Sequence, residues 1–141
     1  VTTPRTYREH PDRRRLEALL REEELVPAEA ALDTETRPED VWLPWEGAQV
    51  HIDLYQPQAS EASEPVTLLL LHGGGGNGRL LSPWGVLAAR AGYRTLAPDL
   101  PGHGLTRVPS RRALIYDDWV RLGSDVLAAE VAAGRAVVLF G

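Results

Sequence analysis

The stretch Val66–Gly78, VTLLLLHGGGGNG, constrains this chain more than any other. A run of strand-forming residues, apolar on both faces, ends in a histidine and opens into four consecutive glycines, Gly73–Gly76. Apolar character on both faces fits a central parallel strand covered above and below. The glycines carry no Cβ, so the backbone there can take positive φ and approach a bound molecule closely. Their N–H groups can converge on one negatively charged oxygen. A loop of this kind after a buried strand is a ligand or catalytic loop.

The flanking sequence sets the architecture around it. Ser82-Pro83 supplies an N-cap and a first-turn proline, which predicts a helix over 83–91 with Gly92 as its stop. Residues 93–97 read as a short strand and 98–109 as a loop. A second helix is expected from 118 to about 133, with Val120, Leu127 and Val131 on one side and Gly134 as its stop. Residues 136–140 read as a third buried strand. From residue 66 the order is therefore β-α-β-α-β, an α/β fold whose parallel connections cross over the sheet.

Upstream, residues 41–55, VWLPWEGAQVHIDLY, read as two strands around a turn at Glu46-Gly47. Val50, Ile52 and Leu54 alternate with His51 and Asp53, the pattern of a strand wet on one side, which makes His51 a surface residue. Pro44 suits an edge strand, so the hairpin forms an antiparallel edge to the sheet. Residues 57–65 are a polar loop. Residues 12–25, DRRRLEALLREEEL, carry Leu16, Leu19 and Leu20 at helical spacing beside a charged face. The expected division is a helical N-terminal extension over 1–40 and the sheet domain over 41–141.

Composition bounds the rest. A chain of 141 residues suits one domain, and 43% hydrophobic with 25% charged residues is ordinary for a soluble globular protein. The net charge of −5, with no basic face, gives no reason to expect a nucleic-acid partner. Without cysteine there is no disulfide, no thiolate metal site and no cysteine nucleophile. The apolar run before the glycines is too short to cross a membrane, and VTTPRTYREH lacks the apolar core of a signal peptide. No membrane partner and a cytoplasmic location are expected. Lysine and methionine are absent and all 15 basic residues are arginine, which points to a GC-rich coding bias rather than thermophily. The absent initiator methionine points to processing or an internal start.

Three chemistries compete for the glycine loop. Gly73, Gly75 and Gly78 spell G-x-G-x-x-G, with Asp99 placed 21 residues later where an acid could hold a ribose. Against dinucleotide binding, the helix is expected to begin only at Ser82-Pro83, leaving Arg79–Leu81 between it and the third glycine. A P-loop fails because Arg79-Leu80 replaces the lysine and hydroxyl residue that phosphate and Mg²⁺ require. The third reading is an oxyanion hole, in which preorganised N–H donors meet the charge that develops on a carbonyl oxygen.

The sequence His72-Gly73-Gly74-Gly75 at the end of a buried strand resembles the HGGG-type loop of α/β-hydrolases. Asp99-Leu100-Pro101-Gly102-His103-Gly104 looks like the D-x-x-G-H-G loop that follows the next strand in many members, and the hairpin resembles the first two strands of that fold. The resemblance covers roughly residues 41–141. It implies backbone N–H donors near Gly73 and Gly74, with Gly74 the stronger candidate, and His72, Asp99 and His103 as groups that brace the loops. Trp84 and the 100–116 loop are candidate pocket neighbours, although Trp84 in such a setting is more often core.

In this family the nucleophile sits on G-x-S-x-G after the strand that follows the second helix, with the acid and the histidine later in the chain. Residues 137–141, VVLFG, look like that strand and the first glycine of the elbow, so the serine is expected two residues beyond Gly141. Ser60, Ser63, Ser82, Ser110 and Ser124 lack the strand–turn–helix setting. None of the triad is therefore expected within these residues, and alone they are expected to be inactive. The resemblance implies the N-terminal portion of a serine hydrolase for a small acyl substrate, completed by the remainder of the same chain. It implies no cofactor and no metal. Dehalogenases and epoxide hydrolases of this fold use an aspartate nucleophile, and a non-catalytic binding module is a separate reading of the same loop.

Overall fold

The computed structural model describes residues 28–33, 35–58, 66–109 and 113–141. The helix expected over 12–25 and part of the 57–65 loop lie outside these residues. Strands β1 (Glu39–Trp45) and β2 (Ala48–Tyr55) pair antiparallel from Glu39↔Leu54 to Trp45↔Ala48. Their connection holds Glu46 at φ 45° and Gly47 at φ 80°. Two positive φ values in succession make a type I′ turn, whose twist matches that of the strands it joins. Pro44, which has no N–H to give a ladder, lies in β1 at the sheet edge, as expected.

The glycine-bearing half follows as β3 (Thr67–Leu70), a 3₁₀ turn (Gly78–Leu81), α1 (Ser82–Arg90), β4 (Arg94–Pro98), α2 (Tyr116–Ala132) and β5 (Val137–Phe140). The sheet order is β1-β2-β4-β3-β5. β2 runs antiparallel to β4, while β3 runs parallel to both β4 and β5. The expected architecture is present: an α/β sheet with an antiparallel hairpin at one edge and β3 between two parallel neighbours. Each face carries its own apolar cluster. Val50, Ile52, Leu54, Leu69 and Leu96 meet Leu122 and Val126 of α2 on one side. Tyr55, Leu70 and Ala97 meet Val86 and Ala89 of α1 on the other.

Four local expectations are corrected. Ser82 is not an N-cap but the first residue of α1, because the 3₁₀ turn from Gly78 runs straight into the helix. The helical backbone thus begins at the third glycine, without the gap expected at 79–81. The core face of α2 is Leu122, Gly123 and Val126, while Val120 and Val131 are more than half exposed. Two acids obscure that inward face. Buried Asp118 accepts the Ile115 N–H, and buried Glu130 accepts the Thr67 hydroxyl at 2.9 Å beside Arg94 and Arg135.

Strand β5 is not buried: Val138, Leu139 and Phe140 are about half exposed. Among the described residues it pairs with β3 alone, which leaves its apolar far edge open. His51 and Asp53, expected on a wet face, are both fully buried. The 3₁₀ turn lays Arg79 over that face of β2, and the alternation marks a buried charge cluster rather than a surface.

Leu122 is fully buried where α2 meets the sheet. Leu122→Ala should lower unfolding stability by about 2–5 kcal/mol, read from the denaturant midpoint, whereas Val131→Ala should stay within about 0.5 kcal/mol.

Candidate functional site

The glycine loop leaves β3 at His72, and the His72 imidazole fixes how it leaves. Its Nε2 accepts the Leu100 N–H at 3.0 Å, so the ring proton lies on Nδ1 and is donated to the Gly73 carbonyl at 2.8 Å. Burial holds the His72 pKa below its ordinary value, which keeps the ring in this neutral, two-sided role. The ring ties the start of the glycine loop to the loop that follows β4.

Asp99 ties the other end. Its carboxylate is fully buried and accepts the Gly78 N–H at 2.7 Å and the Leu105 N–H at 2.8 Å. Gly104 passes so close that a Cβ there would lie 2.2 Å from this carboxylate. A Cβ on Gly78 would lie 2.3 Å from the Ala97 carbonyl oxygen. These two glycines let three stretches of backbone close around one acid. His103 contributes more weakly. Its Nε2 lies 3.4 Å from the Gly75 N–H, and its ring stands edge-on between His72 and Trp119, with centroids 5.1 and 5.2 Å away.

Between those tied ends, Gly73 and Gly74 are exposed, and nothing stands within 4 Å of where a Cβ on either would project. Both line a cavity of about 390 Å³ at the ends of β3 and β5, walled by Leu71, Leu100, Tyr116 and Trp119. The Trp119 indole is fixed by its N–H to the Pro101 carbonyl at 2.9 Å. The structure therefore brings His72, Gly73, Gly74, Asp99 and His103 together in one assembly. Of the 100–116 segment, its two ends, Leu100 and Tyr116, line the cavity. Trp84 is neither wall nor core: it is half exposed and packs on Phe140, with centroids 5.6 Å apart. Ser82 is buried, and the Ser124 hydroxyl is spent on the Val120 carbonyl within α2.

Behind the loop lies the cluster that the strand pattern concealed. The Arg79 guanidinium grips Asp53 with two hydrogen bonds, at 2.7 and 2.8 Å. His51 reaches Asp99 through Nδ1 at 3.0 Å and Asp40 through Nε2 at 2.8 Å, with an Asp53 oxygen at 3.8 Å. Burial opposes charge on the imidazole. The hydrogen bonds to Asp40 and Asp99 and the field of Asp53 outweigh it and raise its pKa to about 9. Asp53, by contrast, is pushed up by burial against the pull of Arg79. Asp40, His51 and Asp53 have donor atoms within 4.8 Å of one another, the spacing of metal ligands. Arg79 and both imidazole nitrogens already occupy those donors, so a cation would have to displace existing pairs. Arg79 was legible in principle: a cation in the first turn leading into a helix opposes the helix dipole and needs a carboxylate partner.

A sequence model described as the Alpha/beta hydrolase family matches residues 68–141, just over half of the chain. The chain belongs to that family. The same topology recurs in solved structures. A soluble variant of monoglyceride lipase from Saccharomyces cerevisiae aligns with 19% identity and a TM-score of 0.59, over 81% of this chain and 38% of the lipase. The epoxide hydrolase of Aspergillus niger aligns with 18% identity and a TM-score of 0.54, over 91% of this chain and 36% of its own. A haloalkane dehalogenase variant from Agrobacterium tumefaciens aligns with 22% identity and a TM-score of 0.51, over 80% and 34%. These likenesses concern the fold, and the chain spans about a third of the length of each. No curated protein matches the chain significantly. Among the described residues, no helix is long and apolar enough to cross a membrane.

The buried pairs make two predictions. Arg79→Met strands the Asp53 carboxylate and should cost about 3–5 kcal/mol in denaturant unfolding, much of it recovered when Asp53→Leu is added. His51 faces Asp40 from β1, Asp53 from its own strand, Asp99 from the loop after β4, and Arg79 beyond Asp53. Its pKa rises on folding, so its contribution should be complete below about pH 6.5 and fade as pH climbs through about 9. The stability difference between the parent and His51→Gln, followed by urea midpoints, should shrink across that interval.

Proposed function

We propose that the glycine loop is the oxyanion hole of a serine hydrolase that cleaves an ester or related acyl bond. One observation carries the reading. Gly73 and Gly74 present main-chain atoms with no side chain in front of them, at the head of a cavity. Acyl transfer develops negative charge on a carbonyl oxygen, and N–H groups fixed beforehand stabilise it without reorganising. Such donors are useful only if their backbone is held, and His72 and Asp99 hold the two ends of this segment. His103 and the Asp99 loop brace it from beside the cavity.

In this reading the nucleophile, its histidine base and the orienting acid come from the remainder of the same chain, after the 41–141 segment, with 1–40 as a helical extension. The serine attacks the carbonyl carbon, its proton passes to the histidine, and the tetrahedral oxyanion sits against Gly74 and Gly73. Collapse expels the alcohol, and water then releases the acid by the same route. No cofactor enters these steps. The substrate is a small acyl compound met in the cytoplasm, and the apolar walls at Leu71, Leu100 and Trp119 suit its hydrocarbon part.

The dinucleotide reading loses its ribose acceptor, since Asp99 is turned into the protein and its oxygens are taken by Gly78, Leu105 and His51. A serine-directed fluorophosphonate should label the whole protein on a serine two residues after Gly141 and abolish hydrolysis of a p-nitrophenyl ester. Gly74→Pro, which deletes one donor, should lower kcat roughly 10²–10³-fold, while Gly74→Ala, whose Cβ meets open space, should cost far less. If ester is cleaved without labelling and ¹⁸O from solvent enters an aspartate, the nucleophile is a carboxylate. Neither labelling nor turnover would leave a binding module.

A further inference from the structure

The glycine loop is held at two points that converge on neighbouring residues: His72 on the Leu100 N–H, and Gly78 on the Asp99 carboxylate. Asp99 is thus the fixed post on which the loop is stretched, and the question is what fixes Asp99. Its two carboxylate oxygens receive two backbone N–H groups, and a fully buried carboxylate needs an opposite charge as well. His51 provides the contact that comes from outside the two loops.

Every polar atom of His51 is turned to this junction. Its N–H goes to the Thr106 hydroxyl at 2.9 Å, and that hydroxyl in turn donates to the Asp99 carbonyl at 2.6 Å. Its carbonyl accepts the Asp99 N–H at 2.8 Å. Its ring joins the Asp99 carboxylate to Asp40. Among the described residues, the cluster sets three carboxylates, Asp40, Asp53 and Asp99, beside two cations, His51 and Arg79. Arg79 gives its two hydrogen bonds to Asp53 and stands 3.8 Å from Asp40, and among the described residues His51 is the cation in hydrogen-bond contact with the Asp99 carboxylate.

We propose that His51 is a positioning residue for the glycine loop: from within the sheet it holds the Asp99 carboxylate on the Gly78 N–H and so sets the orientation of the Gly73–Gly74 backbone. Loss of its proton leaves a neutral ring among three carboxylates, and Asp99 then draws away from Asp40 and Asp53. The Gly78 anchor moves with it. His51 lies behind the loop and touches no substrate, and its effect on catalysis rests on the oxyanion reading given above.

The test uses a label that the sequence supplies. Asn77-Gly78 is the one Asn-Gly step of these 141 residues, so ¹³C′-asparagine with ¹⁵N-glycine picks out the Gly78 amide, assigned as the signal that Asn77→Gln removes. As the pH of the protein is raised from 7 to 10.5, the Gly78 amide should shift with the same midpoint as the ¹⁵N signals of the His51 ring. In His51→Gln the Gly78 amide should stay near its high-pH position throughout. On an ester substrate the variant should lose roughly tenfold in kcat with KM unchanged, less than the loss of a whole donor. A Gly78 amide that ignores the His51 titration overturns the proposal, and this arm needs no variant to fold. Concerted titration without any ester turnover would uphold the positioning role while removing the acyl-transfer reading.

Discussion

The carboxylate of Asp99 is the interaction on which this architecture turns. A charge with no access to solvent must find donors or be neutralised. Asp99 finds them in three separate pieces of chain: the end of the glycine loop at Gly78, the returning loop at Leu105, and β2 at His51. Satisfying one buried acid therefore closes the β3–α1 connection, the loop after β4 and the antiparallel hairpin around a common point. The absence of Cβ at Gly78 and Gly104 is what lets the backbone come near enough to do so. The cavity borders this junction through His72 and Leu100, and its glycine wall is no better ordered than the junction allows.

The same logic explains what could be read from sequence and what could not. The central strand, the glycine loop, the helix stops at Gly92 and Gly134 and the hairpin turn are local facts, written in apolar runs and in residues that tolerate positive φ. The family could be read from two loops together, HGGG and DLPGHG, because their spacing places one after each of two adjacent parallel strands. Burial of charge is not local. His51 and Asp53 alternate with apolar residues as surface residues would, and only the arrival of Arg79 from the 3₁₀ turn makes their face an interior. Asp118 and Glu130 mislead in the same way on α2, where paired acids stand at inward positions and valines stand outside. Periodicity reports which residues water would leave. It does not report which charges bring their own partners.

The exposed strand β5 and the cavity share an edge. Leu71 and Gly141 line the cavity, while Val138, Leu139 and Phe140 beside them stay half exposed. A flat apolar edge is a surface that demands a cover, and any element that pairs with β5 would also approach the open side of the cavity. The shape of that cavity therefore depends on two unequal supports. The glycine side is anchored by buried charge, and among the described residues the β5 side is held by one parallel neighbour.

That asymmetry divides the glycines into two kinds. Gly78 and Gly104 are glycine because other atoms already fill the space a side chain would take. Gly73 and Gly74 have empty space before them, so packing does not explain their lack of a side chain. Both line the cavity, and on the reading proposed above a Cβ there would meet whatever enters it. Substitution at the first pair strikes the Asp99 junction and should register as lost stability before lost activity. Substitution at the second pair leaves the fold's contacts intact and alters the surface offered to a ligand. The one loop from Gly73 to Gly78 thus contains both an open face and a structural anchor, and only the distances around each residue tell them apart.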